Sequence, residues 1–600
     1  MRESVPEGVH ERLDELLLAR WENHPEQPAL VEGDRVVTAG ELRDRVLRLA
    51  GALRERGVGD GDLVVVHLER SVDFVAAILA VVCAGGAHVA FDVADPPLRI
   101  RHMIDDCAPR LVLTSSALRG TLPADPACDI VAIDACEPDT VTAFTAAPGS
   151  ADQPAVVIYT SGSTGRPKAT LISHRAVVAR LAALQRTHGL GGDDRMIHHT
   201  TCSFDMFLIE IYWPLLAGAT VVIADPVRRR DADYLAEMIR DRGITTFYCV
   251  VSLLDLFLLA RGPAERYDGL RRVLTGGEPL SPHLVRRFHE RSTASLTNLY
   301  GPSECTIYCT AWECPRDPEL DTVLIGSAVA GTTLRVMDPA GDPVPAGEPG
   351  ELYIGGEGLG TGYLARPGLT AQRFVPDGLG RPGERLYRSG DTVRVLPGGA
   401  LEFLGRTDGQ VKLRGVRIEL REIESVALRS GAVSQAAVVA EGSGPETRLV
   451  AFVVSEPKDA RAGAIESVRE AFRSWLPRSM VPAAVTAVDE LPLTPNGKVD
   501  QSLLREWASG AVGVVPTDGP TTTSAIESLV SNVWCEVLRV PSLGPHEDFF
   551  DSGGDSFKVV RATERINSLL NVDLPMSSLL HAPTVAAFSQ ELSRLMKTAD

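Results

Sequence analysis

Between residues 30 and 400, short apolar runs alternate with longer stretches whose apolar residues recur every three or four positions. Leu63–Leu68, Leu111–Thr114, Ala155–Tyr159, Thr220–Ala224 and Thr245–Cys249 have strand length and predict buried strands. Gly40–Gly57 and Asp231–Arg242 predict helices. Strand–helix alternation predicts large α/β subdomains with mostly parallel sheets. From Thr333 to Leu404, Gly and Pro break short β runs, which predicts a small β-barrel or meander. A compact, charged α+β block follows, to about Arg505. Ala508–Thr523 (ASGAVGVVPTDGPTTT) is small, polar and linker-like. From Ser524 to Met596, spacing such as Ile526, Leu529, Val533 and Val537 predicts a helical bundle. The boundaries expected are 1–407, 408–507, a linker over 508–523, and 524–600. Phe74–Phe91 lacks Asp, Glu, Lys and Arg over a length that would span a membrane. Gly85, Gly86 and His88 interrupt it, so it reads as a buried helix, a turn and a buried strand.

Composition narrows the class. A hydrophobic content of 44% over 600 residues allows several packed cores. A net charge of −19 argues against nucleic-acid and anionic-membrane partners. The 10 cysteines include no C-x-x-C and no zinc-site spacing, so they are expected as buried thiols of a cytoplasmic protein. The opening residues MRESVPEGVHERLDELLLARW mix acids and bases among their apolar positions and do not read as a secretory signal.

The sharpest chemical signal follows the run Ala155–Ile158. There Tyr159 leads into Thr160, Ser161, Gly162, Ser163, Thr164, Gly165, Arg166, Pro167 and Lys168. Hydroxyls and backbone N–H groups on a glycine-bearing loop, beside a lysine, suit phosphate. The pattern is not a Walker A loop, and a surface turn is the bland alternative. More motifs follow in order: Ser203-Phe204-Asp205, NLYGPSE (Asn298–Glu304), Gly350-Glu351-Leu352, Gly362-Tyr363-Leu364 and YRSGD (Tyr387–Asp391). GRTDGQVKLRGVRIELREIE (Gly405–Glu424) and PNGKVD (Pro495–Asp500) complete the series. Over about residues 25–505 it resembles the adenylate-forming superfamily, and within it the adenylation domains of nonribosomal peptide synthetases. EDFFDSGGDS (Glu547–Ser556) resembles the attachment site of a peptidyl carrier protein, there a four-helix bundle.

The resemblance implies activation of an α-amino acid with ATP and Mg²⁺ as aminoacyl-AMP, then transfer to a 4′-phosphopantetheine thiol on Ser556. It implies that Thr160, Ser161, Gly162, Ser163, Thr164 and Lys168 hold phosphates. Tyr300 would stack on adenine, Ser303 would bond phosphate, Glu304 would hold the metal, and Asp391 would accept the ribose hydroxyls. Arg406 would touch ribose or phosphate, and Lys498 would be the catalytic cation. Asp408 would be the hinge that withdraws Lys498 and admits the arm. Three departures stand out: Ala169 in place of glycine, Arg421 in place of glycine, and no proline in Gly85–Asp92.

By the same resemblance Asp205 would pair with the substrate ammonium. Met206, Ile209, Tyr248 and Val273, with Thr275, Leu299, Ile307 and Tyr308, would line the side-chain pocket. No formal charge lines it, which favours a small to medium neutral side chain, aliphatic or hydroxylated. The layout looks like a freestanding loading didomain of secondary metabolism. Its expected partners are a phosphopantetheinyl transferase and a downstream tailoring or condensation enzyme, with room for an MbtH-like helper. An acyl- or aryl-CoA ligase and a non-catalytic scaffold are the competing readings. Asp205 and the fused carrier argue against the first. The intact Glu304, Asp391, Lys498 and Ser556 argue against the second.

Overall fold

The computed structural model describes residues 11–123, 128–135, 149–162, 165–229, 231–260, 266–317, 319–407, 410–413, 415–442, 447–457, 460–494, 498–510, 525–538, 540, 542–550, 552–554, 556–570, 572, 574, 578–579 and 582–598. Two mixed sheets form the large block. The nine-stranded one has Arg272–Gly276, Thr246–Val250, Arg195–His198 and Thr220–Ile223 at its parallel centre. Ser295–Tyr300 continues the parallel run on one side, and Pro28–Glu32 does so on the other. The seven-stranded sheet has a parallel run of Pro154–Thr160, Ala87–Ala90, Leu63–Val66, Leu111–Thr114 and Asp129–Ala132. Its antiparallel edge is Lys168–Ser173 and Gly362–Tyr363.

Central strands covered on both faces must be apolar throughout, which is why they read as continuous runs. Val64, Val65 and Val66 are fully buried, as is Ala87–Ala90. Phe74–Phe91 resolves as expected. A helix, Val72–Ala84, is capped by the Ser71 hydroxyl and ends on Gly85 in the left-handed region, and the strand Ala87–Ala90 follows. No helix among the described residues is long and apolar enough to cross a membrane.

The expected barrel is not there. Thr332–Met337, Pro349–Gly356, Arg385–Val395 and Phe374–Pro376 form an open antiparallel sheet, with Leu401–Arg406 also paired to Arg385–Val395. Closure needs the end strands to bond each other. Here one end strand is only three residues long and pairs on one side.

The small block packs the helices Leu420–Arg429 and Arg461–Trp475 on the three strands Val433–Glu441, Arg448–Ser455 and Ala484–Ala487. Its last helix, Gln501–Gly510, carries Ala508 into the core, so helix extends into the start of the expected linker. The carrier segment packs helices Ala525–Leu538, Ser556–Leu570 and Val585–Thr598 around Trp534, Phe549 and Phe588. The fourth helix expected of it is not among the described elements.

Candidate active site

Above the carboxyl ends of the parallel strands lies a cavity of about 420 Å³, the usual place for a ligand in an open α/β sheet. Thr160, which ends the strand Pro154–Thr160, and Ser161 just past it line the cavity with Ser303, Asp391 and Arg406. The loop after Tyr300 is sterically demanding. A Cβ on Gly301 would lie 2.5 Å from the Tyr308 Cα. Thr306 and Ile307 hold φ of 58° and 65°, which is strained for β-branched residues. That strain aims the Ile307 N–H at Asp205 Oδ2, 3.1 Å away.

Asp391 is buried and bound on both oxygens: Arg406 donates to Oδ1 and the Tyr300 hydroxyl to Oδ2. The Tyr300 ring lies under Lys412 Nζ, 5.2 Å from its centroid. These residues share a corner, with a carboxylate and an aromatic face side by side, as a nucleoside requires.

Asp205 is buried between Phe204 and Met206, both of which line the cavity. Burial pushes it up to about 7, against hydrogen bonds from Ser303 and the Ile307 N–H. Met206, Tyr248, Leu299 and Ile307 line the cavity, and Ile209 and Tyr308 share their apolar cluster. The Tyr308 hydroxyl is turned away and donates to the Arg180 carbonyl at 3.2 Å. Two expected pocket residues belong elsewhere. Tyr248 is in register with Leu274, and Phe247 with Val273. Side chains alternate along a strand, so Val273 packs in the opposite-face cluster with Phe247 and Cys249, and Thr275 shares that parity. The pocket face carries Leu274, clustered with Tyr248 and Leu299, and then Gly276. A Cβ on Gly276 would sit 2.3 Å from the Leu299 carbonyl oxygen.

Lys168 opens the strand after the phosphate-type loop and is buried. It donates to Glu304 Oε1 at 3.0 Å and to the Tyr363 hydroxyl at 2.9 Å. Tyr363 donates to the same Oε1 at 2.7 Å, and Arg417 of the small block donates to Oε2 at 3.0 Å. Burial alone would raise Glu304, but Lys168 and Arg417 hold it well below the usual carboxylate range. The loop is also engaged by the small block. Ser161 Oγ donates to the Arg417 carbonyl at 2.7 Å and accepts from the Glu419 N–H at 3.1 Å. The Gly162 N–H donates to Glu422 Oε2 at 3.3 Å, and Arg99 donates to Glu422 Oε1 at 2.8 Å. Ser163, Thr164 and Asp408 lie outside the described residues. Ala169 lies in the strand Lys168–Ser173 rather than the loop.

Lys498 is not brought to this site. It is exposed, its N–H donates to Thr494 Oγ1 at 3.3 Å, and it lines neither large cavity. The position it was expected to approach is occupied by the hairpin Val411–Leu413 and Val416–Ile418, whose Lys412, Val416 and Arg417 line the first cavity.

A second cavity, of about 770 Å³, shares Thr201, Phe204 and Tyr248 with the first. Its far end is lined by Phe550, Gly553 and Gly554, in the loop that precedes the Ser556 helix. Val560 on that helix clusters with Ala232 and Leu256 of the large block.

Several participants escaped the sequence reading. Glu210 is fully buried and accepts from His198 Nδ1, the His199 and Thr200 N–H groups and the Thr200 hydroxyl. It thereby fixes the segment that leads to Asp205. Its signal was a lone acid in the otherwise apolar helix Phe207–Ala217. Arg417 and Glu422 stood inside a quoted motif, but their partners are more than 100 residues away. Leu274 and Gly276 differ from the expected positions by one step of strand register.

The donor set suits Mg²⁺. Among the described residues no group of three or more His, Cys, Asp or Glu could hold a metal alone. One buried carboxylate, Glu304, stands beside the phosphate-type loop, and magnesium is commonly bound by one or two carboxylates and substrate phosphates.

Comparison with known proteins agrees with this geometry. The AMP-binding enzyme profile matches residues 17–364, the AMP-binding enzyme C-terminal domain 422–498, and the phosphopantetheine attachment site 528–592. Tyrocidine synthase 3 of Brevibacillus parabrevis is 38% identical over 570 residues, covering 94% of this chain and 9% of the relative. Phosphinothricin tripeptide synthetase PhsB of Streptomyces viridochromogenes is 38% identical over 588 residues, 96% of this chain and 49% of the relative. The chain therefore spans a small part of such relatives, 9% and 7% of the first two. The structure of holo-PA1221, an NRPS protein containing adenylation and PCP domains bound to a vinylsulfonamide inhibitor, superposes with a TM-score of 0.81 at 27% identity. That match covers 98% of this chain and 97% of the other. The chain belongs to the AMP-binding enzyme family, as an adenylating ligase of the nonribosomal peptide synthetase type fused to a phosphopantetheine carrier domain.

Proposed function

We propose that the chain activates a neutral α-amino acid as aminoacyl-AMP in the first cavity and delivers it through the second to the carrier residue Ser556. The observation that carries this reading is the junction of the two cavities. Thr201, Phe204 and Tyr248 line both, so the cavity at Asp391 and the one at the carrier loop Gly553 and Gly554 adjoin across these side chains, and Val559 and Val560 of the carrier helix line the first.

Asp205 supplies the carboxylate for an α-ammonium; burial without a cation is costly, and the substrate ends that cost. The pocket of Met206, Tyr248, Leu274 and Leu299 is apolar apart from the tyrosine hydroxyl, which supports a neutral side chain. Asp391 and Arg406 orient the ribose, and Tyr300 presents its ring to the base. Ser161, Gly162 and Lys168 are the donors for phosphate oxygens. Glu304 would hold a magnesium ion, which neutralises charge as carboxylate and phosphate meet. Lys498, on the small block, is the cation for the reacting oxygens once that block turns. The arm on Ser556 supplies the accepting thiol, and the Val560 contact seats the carrier for it. The likeness to PA1221 over nearly its whole length supports loading within one chain. Hand-over to a tailoring or condensation enzyme, and help from an MbtH-like protein, are parts of the same proposal.

The test is pyrophosphate exchange with each amino acid, with and without an MbtH-like protein, followed by mass spectrometry of protein primed by a phosphopantetheinyl transferase. Exchange with a neutral amino acid and a matching mass gain lost in Ser556→Ala are expected. Exchange only with carboxylates lacking an amine would instead identify an acyl-CoA-ligase type of activity.

A further inference from the structure

The phosphate site is filled by the protein itself. Glu304 is fully buried, and its two oxygens are taken by Lys168 with Tyr363 and by Arg417. The Gly162 N–H, a donor suited to a phosphate oxygen, holds the Glu422 carboxylate, and Arg99 closes the same group from the other side. Gly165 lies against the Leu420–Arg429 helix so closely that a Cβ there would be 2.8 Å from Ser425 Cβ. Arg417 and Glu422 both belong to the small block, whereas Glu304, Gly162 and Arg99 belong to the large one. A guanidinium on the metal-type carboxylate and a carboxylate on the phosphate-type N–H repeat, in side chains, the charges of a magnesium ion and a phosphate.

We propose that Arg417 and Glu422 form a built-in mimic of the magnesium–phosphate unit, which holds the small block in the carrier-facing arrangement until magnesium and nucleotide displace it. This rests on the adenylating function proposed above. Arg417 and Glu422 are positioning residues in this scheme. Ligand and small block compete for Glu304 and Gly162, so occupancy by one lowers the affinity of the other by the same factor. No covalent step is involved.

The experiment places a fluorophore pair on the full chain, one on the large block and one on the small, and titrates Mg²⁺ with a non-hydrolysable ATP analogue. In the wild type the inter-block distance shifts on titration. Arg417→Gln is expected to shift the resting distance before any ligand is added and to lower the Mg²⁺ midpoint by at least about fivefold, the lower end of ordinary site coupling. Glu422→Gln, which removes only the anion, is expected to do the same for the analogue. Arg417→Lys keeps the charge without the fork and should fall between. A change in midpoint with an unmoved resting distance would reduce Arg417 to simple charge repulsion and overturn the mimic, as would no change in either. Should Arg417→Gln fail to fold, Glu422→Gln and Arg417→Lys decide on the same two readouts. A wild type that binds no Mg²⁺–nucleotide would sink the proposed function instead, a result distinct from failure of the mimic alone.

Discussion

Asp205 has no cation of its own within the described hydrogen bonds and ion pairs, and burial pushes its pKa up to about 7. Below that value the free protein holds a neutral acid that cannot pair with an ammonium; above it the carboxylate is present. In pyrophosphate exchange, kcat/KM for the amino acid should therefore fall towards about tenfold per pH unit below about 7 and level off above it. Asp205→Asn should lose this limb together with most of the amino-acid affinity. A profile flat down to about pH 5 would count against the ammonium role. Lys498 gives a complementary prediction. It is exposed and outside the lining of both cavities here, and in the proposed scheme it acts only when the small block turns. Lys498→Ala should cut exchange by roughly 10²–10³-fold, yet still transfer from supplied aminoacyl-AMP to the primed carrier. Equal losses in both assays would contradict a role confined to the first half-reaction.

Among the strands, parity decides what a side chain can touch. Apolar runs such as Leu111–Thr114 and Ala155–Tyr159 announced their strands, because burial on both faces leaves no polar residue to confuse the pattern. The same uniformity hid which face was which. Nothing in Arg272–Gly276 distinguishes Val273 from Leu274 until the register with Thr246–Val250 is known. Motif residues such as Asp205, Tyr300, Ser303 and Asp391 stood out because each sits in a short motif at or near the end of an apolar run. The Glu304–Arg417 and Gly162–Glu422 contacts did not, since polar contacts between blocks leave no spacing signal. The expected barrel failed for a related reason: a sequence of short β runs does not say whether the end strands meet. Gly276 makes the packing testable. Gly276→Ala must push its strand from Ser295–Tyr300, because the added carbon meets backbone at 2.3 Å. A loss of about 1–3 kcal/mol is expected in denaturant unfolding, with a raised KM for the amino acid. Unchanged stability would mean that the two strands are less tightly opposed than this.

Across the molecule, the contacts that join the blocks have separable consequences. Val560 packs on Ala232 and Leu256 at the carrier junction. Val560→Asp would bury a charge there, on the rim that Val560 adds to the first cavity and away from the Asp391–Tyr300 hydrogen bond. Loading of the chain's own carrier should drop at least about tenfold, equivalent to about 1.4 kcal/mol, while pyrophosphate exchange stays near its original rate. Parallel losses would show that Val560, which also lines the first cavity, acts on activation itself and not only at the junction. The Glu422 carboxylate on the Gly162 N–H has a consequence for direction as well as for position. On the proposed function, that spot is where the departing inorganic diphosphate would have to return to rebuild ATP. The chain's own anion there, with the carrier docked, would leave the backward reaction without a berth for its second reactant, and an intrinsically reversible activation would become a committed delivery.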